Sequence, residues 1–377
     1  MVIAIDIRDL YLARTGTRTV LDELVKSLPK VAAGHRVVLL EPRRPPRRPN
    51  SRLSKVLEHL SFVWWKEVTL PIKAWRAKAD ILFCTDYFVP LFTIRCETVP
   101  LFHGANFWEQ PENYNPIWRM LFNWLAVPAA RRSRYVVTVS RHSQRAISKH
   151  TGLDHNRIVP IYNAPKSDIR HRLPDASRQA VLRSYGVPVG APYILHVGVM
   201  EKRKNLVRLI QAFAQSLDHI DRAYRLVLVG QPGPQRVIDD SRNVDAAIAH
   251  YGLRERVIIT GHVPDDQLVA FYQSATFYAF PSLNEGFGIP VVESFAADLP
   301  LMVSRSASLP EVAGDAALFF DASSVEDIEC AIVTMATDEN IRLQLKVKGR
   351  QRLNHFSWEK AARELVSLFE VIHPPPP

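Results

Sequence analysis

Residues 275–296 narrow the possible folds more than any other stretch. Ala275-Thr276-Phe277-Tyr278-Ala279-Phe280 reads as a buried strand. The loop Pro281-Ser282-Leu283-Asn284-Glu285-Gly286-Phe287-Gly288-Ile289 follows, and Pro290 then opens a helical pattern of Val291, Val292, Phe295 and Ala296. Proline is favoured at a helix start because the N–H it lacks would have no intrahelical partner there. A strand that turns through glycines into a helix is the repeating unit of an α/β fold. Free amides at such a start, at the positive end of the helix dipole, suit phosphate or another anion. Two carboxylates, Glu285 and Glu293, bracket this site. A carboxylate beside an anion site is electrostatically unfavourable, so Glu285 points to a ligand that joins phosphates to sugar hydroxyls. Glu293, expected in the first helical turn, either complements the helix dipole or accepts hydrogen bonds from the ligand's hydroxyls.

The rest of the chain repeats this pattern. Val2–Ile7 reads as a strand, Arg14–Thr17 as a turn into a helix with Val20, Leu21, Leu24, Val25 and Leu28 on one face, and Arg36–Leu40 as a second strand. A fresh run begins at Tyr193–Gly198, with further strands at Arg225–Gly230 and Val257–Gly261. Such alternation predicts parallel sheets with helices on both faces and ligands at the carboxyl ends of strands. At 377 residues two domains are expected, bounded at 1–175 and 185–355, with Asn163 closing the strand pattern of the first and the polar, turn-rich Lys166–Pro192 joining the two. After Gly198 come Lys202, Arg203 and Lys204, then a helix with Leu206, Leu209, Ile210 and Phe213. A glycine loop with adjacent cations suits a diphosphate and would offset charge developing on a leaving group.

Glu285 and Glu293, with seven residues between them, resemble the E-x7-E signature of retaining glycosyltransferases of family 4 (group 1). Further segments extend the likeness over nearly the whole chain. Glu201-Lys202-Arg203-Lys204-Asn205 is similar to the family's E-P-R-K-N, and Leu309–Ala317 to its L-P-E-V-x-G-D-A-A. The strand ending in Ser140, the run Ile158–Asn163 and the closing Phe356-Ser357-Trp358 also have family counterparts. The chain departs from the pattern at Gly104, where an Asp commonly follows His103, and at Lys202, where Pro is common.

The resemblance implies an α/β fold of GT-B type, two Rossmann-like doubly wound domains facing across a cleft. The first would bind the acceptor and be completed by a C-terminal helix at 357–373; the second would bind the nucleotide-sugar. It implies catalytic roles for His103, Glu285, Lys204 and Arg203, with Glu285 on the sugar hydroxyls. Donor contacts are implied at Gly16, Gly198, Arg203, Lys204, Val263, Glu285, Gly286, Phe287, Gly288, Ile289 and Glu293, the last on the ribose. Asn106, Ser140 and Asn163 fall on the acceptor side. The segments look most like bacterial O-antigen and exopolysaccharide mannosyltransferases, which implies hexose transfer from GDP-mannose; UDP- and dTDP-sugars stay open because the base is read largely by backbone. No Asp-x-Asp occurs, so no cofactor and no divalent metal is expected for the chemistry.

Charge points to a partner. Residues 1–150 hold 24 Lys and Arg against 12 Asp and Glu, whereas the whole-chain excess is +10. The cationic run Pro42–Pro49 and the interleaved Leu60, Phe62, Val63, Trp64, Trp65, Lys66, Trp75, Arg76 and Lys78 suggest an anionic membrane surface. The expected acceptor is accordingly a lipid-linked or lipopolysaccharide-type glycan. Cys84, Cys96 and Cys330 form no disulfide framework, Met1–Asp6 does not read as a signal peptide, and no apolar stretch reaches ~20 residues. A cytoplasmic protein peripheral to the inner membrane face fits these features. A sugar-nucleotide epimerase or phosphorylase would share the fold but not favour a basic, aromatic domain. A nucleic-acid binder would explain the charge but not the acidic pair, so no nucleic acid is expected. A non-catalytic nucleotide- or anionic-polymer-binding relative remains a rival.

Overall fold

Two six-stranded sheets organise the chain, each built from short apolar runs that alternate with amphipathic helices. The computed structural model describes residues 1–12, 16–42, 52–113, 119–120, 122–233 and 237–374. It divides the chain into one unit of Met1–Asn163 with Ser357–Pro377, and a second of Ala164–Phe356. Arg14, Thr15 and Arg43–Pro49, which carry the expected turn and most of the cationic run, lie outside the described residues.

In the first unit the strands are β1 (Val2–Asp6), β2 (Arg36–Leu40), β3 (Ile81–Cys84), β4 (Glu97–Phe102), β5 (Val136–Thr138) and β6 (Ile158–Pro160), in the order β2-β1-β3-β4-β5-β6. In the second they are β7 (Tyr193–Val197), β8 (Arg225–Val229), β9 (Val257–Gly261), β10 (Phe277–Phe280), β11 (Leu301–Ser304) and β12 (Leu318–Phe320), in the order β12-β11-β10-β7-β8-β9. All pairings between these strands are parallel. Every residue of β3, β10 and β11 is buried, as strands covered on both faces require. The sequence pattern did not reveal β3, β11 and β12, which are runs of three or four residues with no alternation to mark them. Strand order reverses between β1 and β3, and between β7 and β10, so each unit has its ligand crevice outside the carboxyl ends of those strands.

The last helix, Trp358–Ile372, belongs to the first unit. Ser357 caps it by accepting from the Lys360 amide at 3.1 Å. Phe369 packs 5.7 Å from the Phe83 ring, and Arg134 donates to the Ile372 carbonyl at 3.1 Å. The boundary expected at 175 falls earlier, at Asn163/Ala164. The supposed linker is docked on the second unit: the Leu173 amide donates to Gln273 Oε1 at 3.1 Å, and Tyr185 Oη to Gln267 Oε1 at 2.7 Å.

A continuous helix runs from Arg52 to Arg76, with a π-helical turn at Trp65–Thr69. Two members of the expected surface stripe, Trp65 and Lys66, are turned inward and buried. Lys66 Nζ donates to Asp6 Oδ2 (2.7 Å), Asp86 Oδ1 (2.6 Å) and the Phe88 carbonyl (2.9 Å), while Trp65 Nε1 reaches Asp6 at 3.1 Å. The ammonium is so well compensated that, although burial opposes it, the two carboxylates hold its pKa well above the usual lysine value. Among the described residues no helix is long and apolar enough to cross a membrane. Removing one partner of a buried ion pair leaves the other uncompensated. Lys66→Ala should therefore lower unfolding free energy by about 3–5 kcal/mol in urea titrations; a loss under about 1 kcal/mol would reduce the cluster to the rank of a surface pair.

Candidate active site

At the crevice of the second unit, two loops meet because glycine lets them. Gly198 ends β7, and a Cβ on Gly230 (φ +159°), after β8, would lie 1.8 Å from the Gly198 carbonyl oxygen. The chain then makes a short turn at Lys202–Lys204 and enters the helix Leu206–Ser216 through Asn205. Asn205 Nδ2 donates to the carbonyls of Pro281 (3.2 Å) and Ala322 (2.8 Å), and the Leu283 amide donates to the Arg203 carbonyl at 2.8 Å. The cationic loop after β7 is thereby fastened to the acidic loop after β10.

Glu285 is the centre of the junction. Its Oε1 lies 2.7 Å from Arg203 Nη1 and 2.6 Å from Lys204 Nζ. Burial pushes its pKa up, but Arg203 and Lys204 together hold it at about 2. Lys204 moves the other way for its own class. Burial and the charge of Arg203 lower its pKa more than the shared Glu285 raises it. One carboxylate oxygen thus serves two cations, and a further negative group beside Lys204 would be favourable. Below them His196 is fully buried, with Nδ1 3.0 Å from the Ala279 carbonyl and no partner for Nε2. Burial, then Lys204, lowers its pKa to about 4, so it presents a neutral ring beneath the cations. Nothing in the β7 pattern distinguished His196 from an ordinary strand residue.

The helix Ile289–Ala296 starts at Gly288, whose φ of +91° only glycine adopts readily. Phe287 is buried against Phe356 (5.8 Å between ring centres), so only its backbone can face a ligand. Glu293 lies one residue further into the helix than expected: with Ile289 as first residue it is fifth, just past the first turn. That position removes the dipole reading. Its Oε2 accepts from Tyr272 Oη at 2.8 Å, while its buried Oε1 has no partner. Burial raises its pKa, opposed by Lys166 and the Tyr272 hydrogen bond. Tyr272 and Lys166 could not be tied to Glu293 from sequence, being 21 residues away in one case and before the first strand of this unit in the other. Gly198, Arg203, Lys204, Glu285, Gly286, Gly288, Ile289 and Glu293 therefore gather around the β7 and β10 ends. Val263 is buried beyond the end of β9, two strands from β7.

The remaining predicted residues belong to the first unit. Gly16 is exposed at the start of the helix Gly16–Val31. His103 follows β4 and donates from Nε2 to the Thr85 carbonyl at 2.6 Å; burial lowers its pKa to about 4, so the ring is neutral. Asn106 opens a short helix with Oδ1 buried and unpartnered. Ser140 caps the helix Arg141–Thr151 by accepting from the Ser143 amide, and Asn163 is buried at the end of the unit. At the β1/β3 crevice, burial and then Asp86 raise Asp9 to about 7, a feature the sequence did not betray. Asp6, Cys84 and Asp86 lie within metal-ligating distance of one another, but the Lys66 ammonium already engages both carboxylates.

The chain resembles known proteins along most of its length. Residues 14–165 match the family described as Glycosyltransferase Family 4, and residues 177–352 that described as Glycosyl transferases group 1. The O-antigen chain mannosyltransferase B of Escherichia coli is 31% identical over 276 residues, which are 73% of this chain and 70% of that protein. The serotype-specific mannosyltransferase WbdA of Escherichia coli is 28% identical over 240 residues, 63% of this chain but only 29% of the relative. Among solved structures, Anabaena HepE in complex with UDP-glucose superposes with a TM-score of 0.75 at 16% identity, covering 99% of this chain and all of that one.

The Glu285 cluster has a pH signature. Its folded pKa lies below the ordinary 4.5, so its contribution is complete above that value and is lost as pH falls toward about 2. Its size is up to about 3 kcal/mol. Urea midpoints of the wild type should fall over this window more steeply than those of Glu285→Gln, and parallel curves would refute the assignment. The same variant frees Lys204, while Arg203 keeps Glu201 Oε2 at 2.8 Å, and it should bind a bare nucleoside diphosphate no more weakly than wild type.

Proposed function

Since this chain belongs to the family 4, group 1 glycosyltransferases, we propose that it moves a hexose from a nucleotide-sugar onto a membrane-held glycan with retention of anomeric configuration. One observation carries the reading. Arg203 and Lys204 share a single carboxylate oxygen of Glu285 at the reversal point of a parallel sheet, in the loop that leads into the helix carrying the unpartnered Oε1 of Glu293. The cations and the amides around Gly286 and Gly288 suit a diphosphate; the two carboxylates suit hydroxyls, Glu285 those of the sugar and Glu293 those of the ribose. The acceptor oxygen attacks the anomeric carbon on the face from which the diphosphate departs. The carbon–oxygen bond to the diphosphate breaks, the proton passes to the departing phosphate oxygen, and a nucleoside diphosphate is released. Arg203 and Lys204 stabilise its charge, and neutral His103 is assigned to the sugar. No divalent metal is included, because protein cations meet the diphosphate.

Mannose and an O-antigen-type acceptor are favoured by the names of the Escherichia coli relatives, and GDP-mannose is the donor we propose for it. A UDP-sugar is the second reading, favoured by the HepE complex. Such an acceptor places the protein at the inner face of the plasma membrane, with the basic first unit toward the lipid and no nucleic-acid partner.

Thermal melts against GDP, UDP, dTDP and ADP test the donor. At 100 times its dissociation constant the right nucleotide adds about 2.7 kcal/mol, and the gain should vanish in Lys204→Ala. No shift with any of the four would favour a non-catalytic relative. His103→Ala should lower kcat by about 100-fold or more without weakening nucleotide binding, and an unchanged kcat would remove His103 from the chemistry. Activity should survive chelator treatment; recovery only on adding a divalent ion would overturn the metal-free scheme.

A further inference from the structure

The helix Arg52–Arg76 has two faces with opposite demands. Leu57, Leu60, Trp64, Val68, Ile72 and Trp75 recur at intervals of three and four residues, which is one side of a helix. Five of the six are exposed, Leu60 by 62%, Trp64 by 65% and Trp75 by 52%, with Val68 partly so. The hydrophobic effect alone would turn such a stripe inward. It is held outward by the other side: Lys66 and Trp65 are fixed on Asp6 and Asp86, Glu58 meets Arg8 at 2.5 Å, and the Arg8 guanidinium lies 5.0 Å over the Phe62 ring. Rotating the helix to hide the stripe would strip a buried ammonium of both its carboxylates.

The rest of the surface is uneven in the same sense. Every exposed Trp, Phe or Tyr among the described residues (Tyr11, Trp64, Trp75, Phe92 and Trp124) belongs to the first unit. That unit also carries the positive excess, and Arg76 and Lys78 are exposed beside Trp75 where the helix ends. Charge complementarity therefore selects an anionic lipid surface over a second copy of this chain, whose own first unit would repel it. Since the helix is too polar to span, its place is in the plane of the interface.

We propose that Arg52–Arg76 is a membrane-docking helix: its Leu57–Trp75 stripe inserts at the headgroup–acyl boundary of an anionic leaflet, with Arg76 and Lys78 on the headgroups. Lys66 ties the inner side of the same helix to the carboxyl ends of β1 and β3, so docking holds that crevice about one helix diameter, ~10 Å, from the lipid. A glycan on a lipid carrier would be delivered there. Docking of this kind deepens, and takes its purpose from, the membrane-held acceptor proposed above.

Vesicle flotation tests it on the intact chain, using phosphatidylcholine alone or with about one third phosphatidylglycerol. Wild type should float with the anionic vesicles, and Leu60→Glu/Trp64→Glu should bind at least about tenfold more weakly. A nucleotide melt on the same samples reads the donor site separately, so failure of docking and failure of the transferase reading are distinguishable. Trp64→Phe, which keeps the apolar face, should retain binding. The proposal falls if wild type does not float, or if the double glutamate variant floats as well as wild type. It also falls if wild type is a dimer that the variant dissolves while neither binds lipid.

Discussion

The contact of Glu285 with Arg203 and Lys204 is the interaction that holds the second unit's crevice together. It closes a distance of 81 residues, joining the loop after β7 to the loop after β10. Two like charges packed side by side need acids against them: a single oxygen of Glu285 lies between the two, and Glu201 meets Arg203 from its other side at 2.8 Å. The compensation is incomplete, as the lowered pKa of Lys204 records. Among the described ion pairs Lys204 meets only Glu285, so it would gain from a further negative charge. That is the electrostatic condition for a diphosphate to bind and, once cleaved, to be stabilised as a leaving group.

The first unit uses the same device for a different end. There one buried cation, Lys66, serves two acids, Asp6 and Asp86, at the reversal point of its sheet. The ammonium is fully employed, and its pKa is raised rather than lowered. The arrangement is a structural clasp rather than an open anion site. It also decides the orientation of the helix that supplies Lys66, and through it which apolar side chains face outward. Position at a strand's carboxyl end is common to both clusters; the balance of charge separates their roles.

Much of the fold was legible because burial leaves a local trace. Apolar runs marked most of the strands, those of β7, β8 and β9 running directly into glycine, and Val20, Leu21, Leu24 and Leu28 marked a helix face that is indeed buried. The boundary near 175 was misplaced because Lys166–Tyr185 is polar in composition, yet its hydrogen bonds go to Gln267 and Gln273 of the second unit. Trp65 and Lys66 were read as surface because Trp–Lys next to exposed neighbours looks the same in either orientation. Glu293 was set one residue too shallow, since Pro290 need not be the first helical residue.

By itself the sequence determined that two α/β units would form, that a glycine loop and helix start at 281–293 would suit an anion, and that the basic excess would lie in one unit. These are consequences of periodicity, turn chemistry and composition, all of which act within a few residues. Only the tertiary structure decided that Glu285 would be divided between two cations, that His196 would sit beneath them with Nε2 unpartnered, that Glu293 would keep one oxygen without a hydrogen bond, and that the Arg52–Arg76 helix would turn its apolar side outward. Each depends on strand order, which brings residues some tens of positions apart into one crevice. No local pattern encodes which charge will be the nearest neighbour of which.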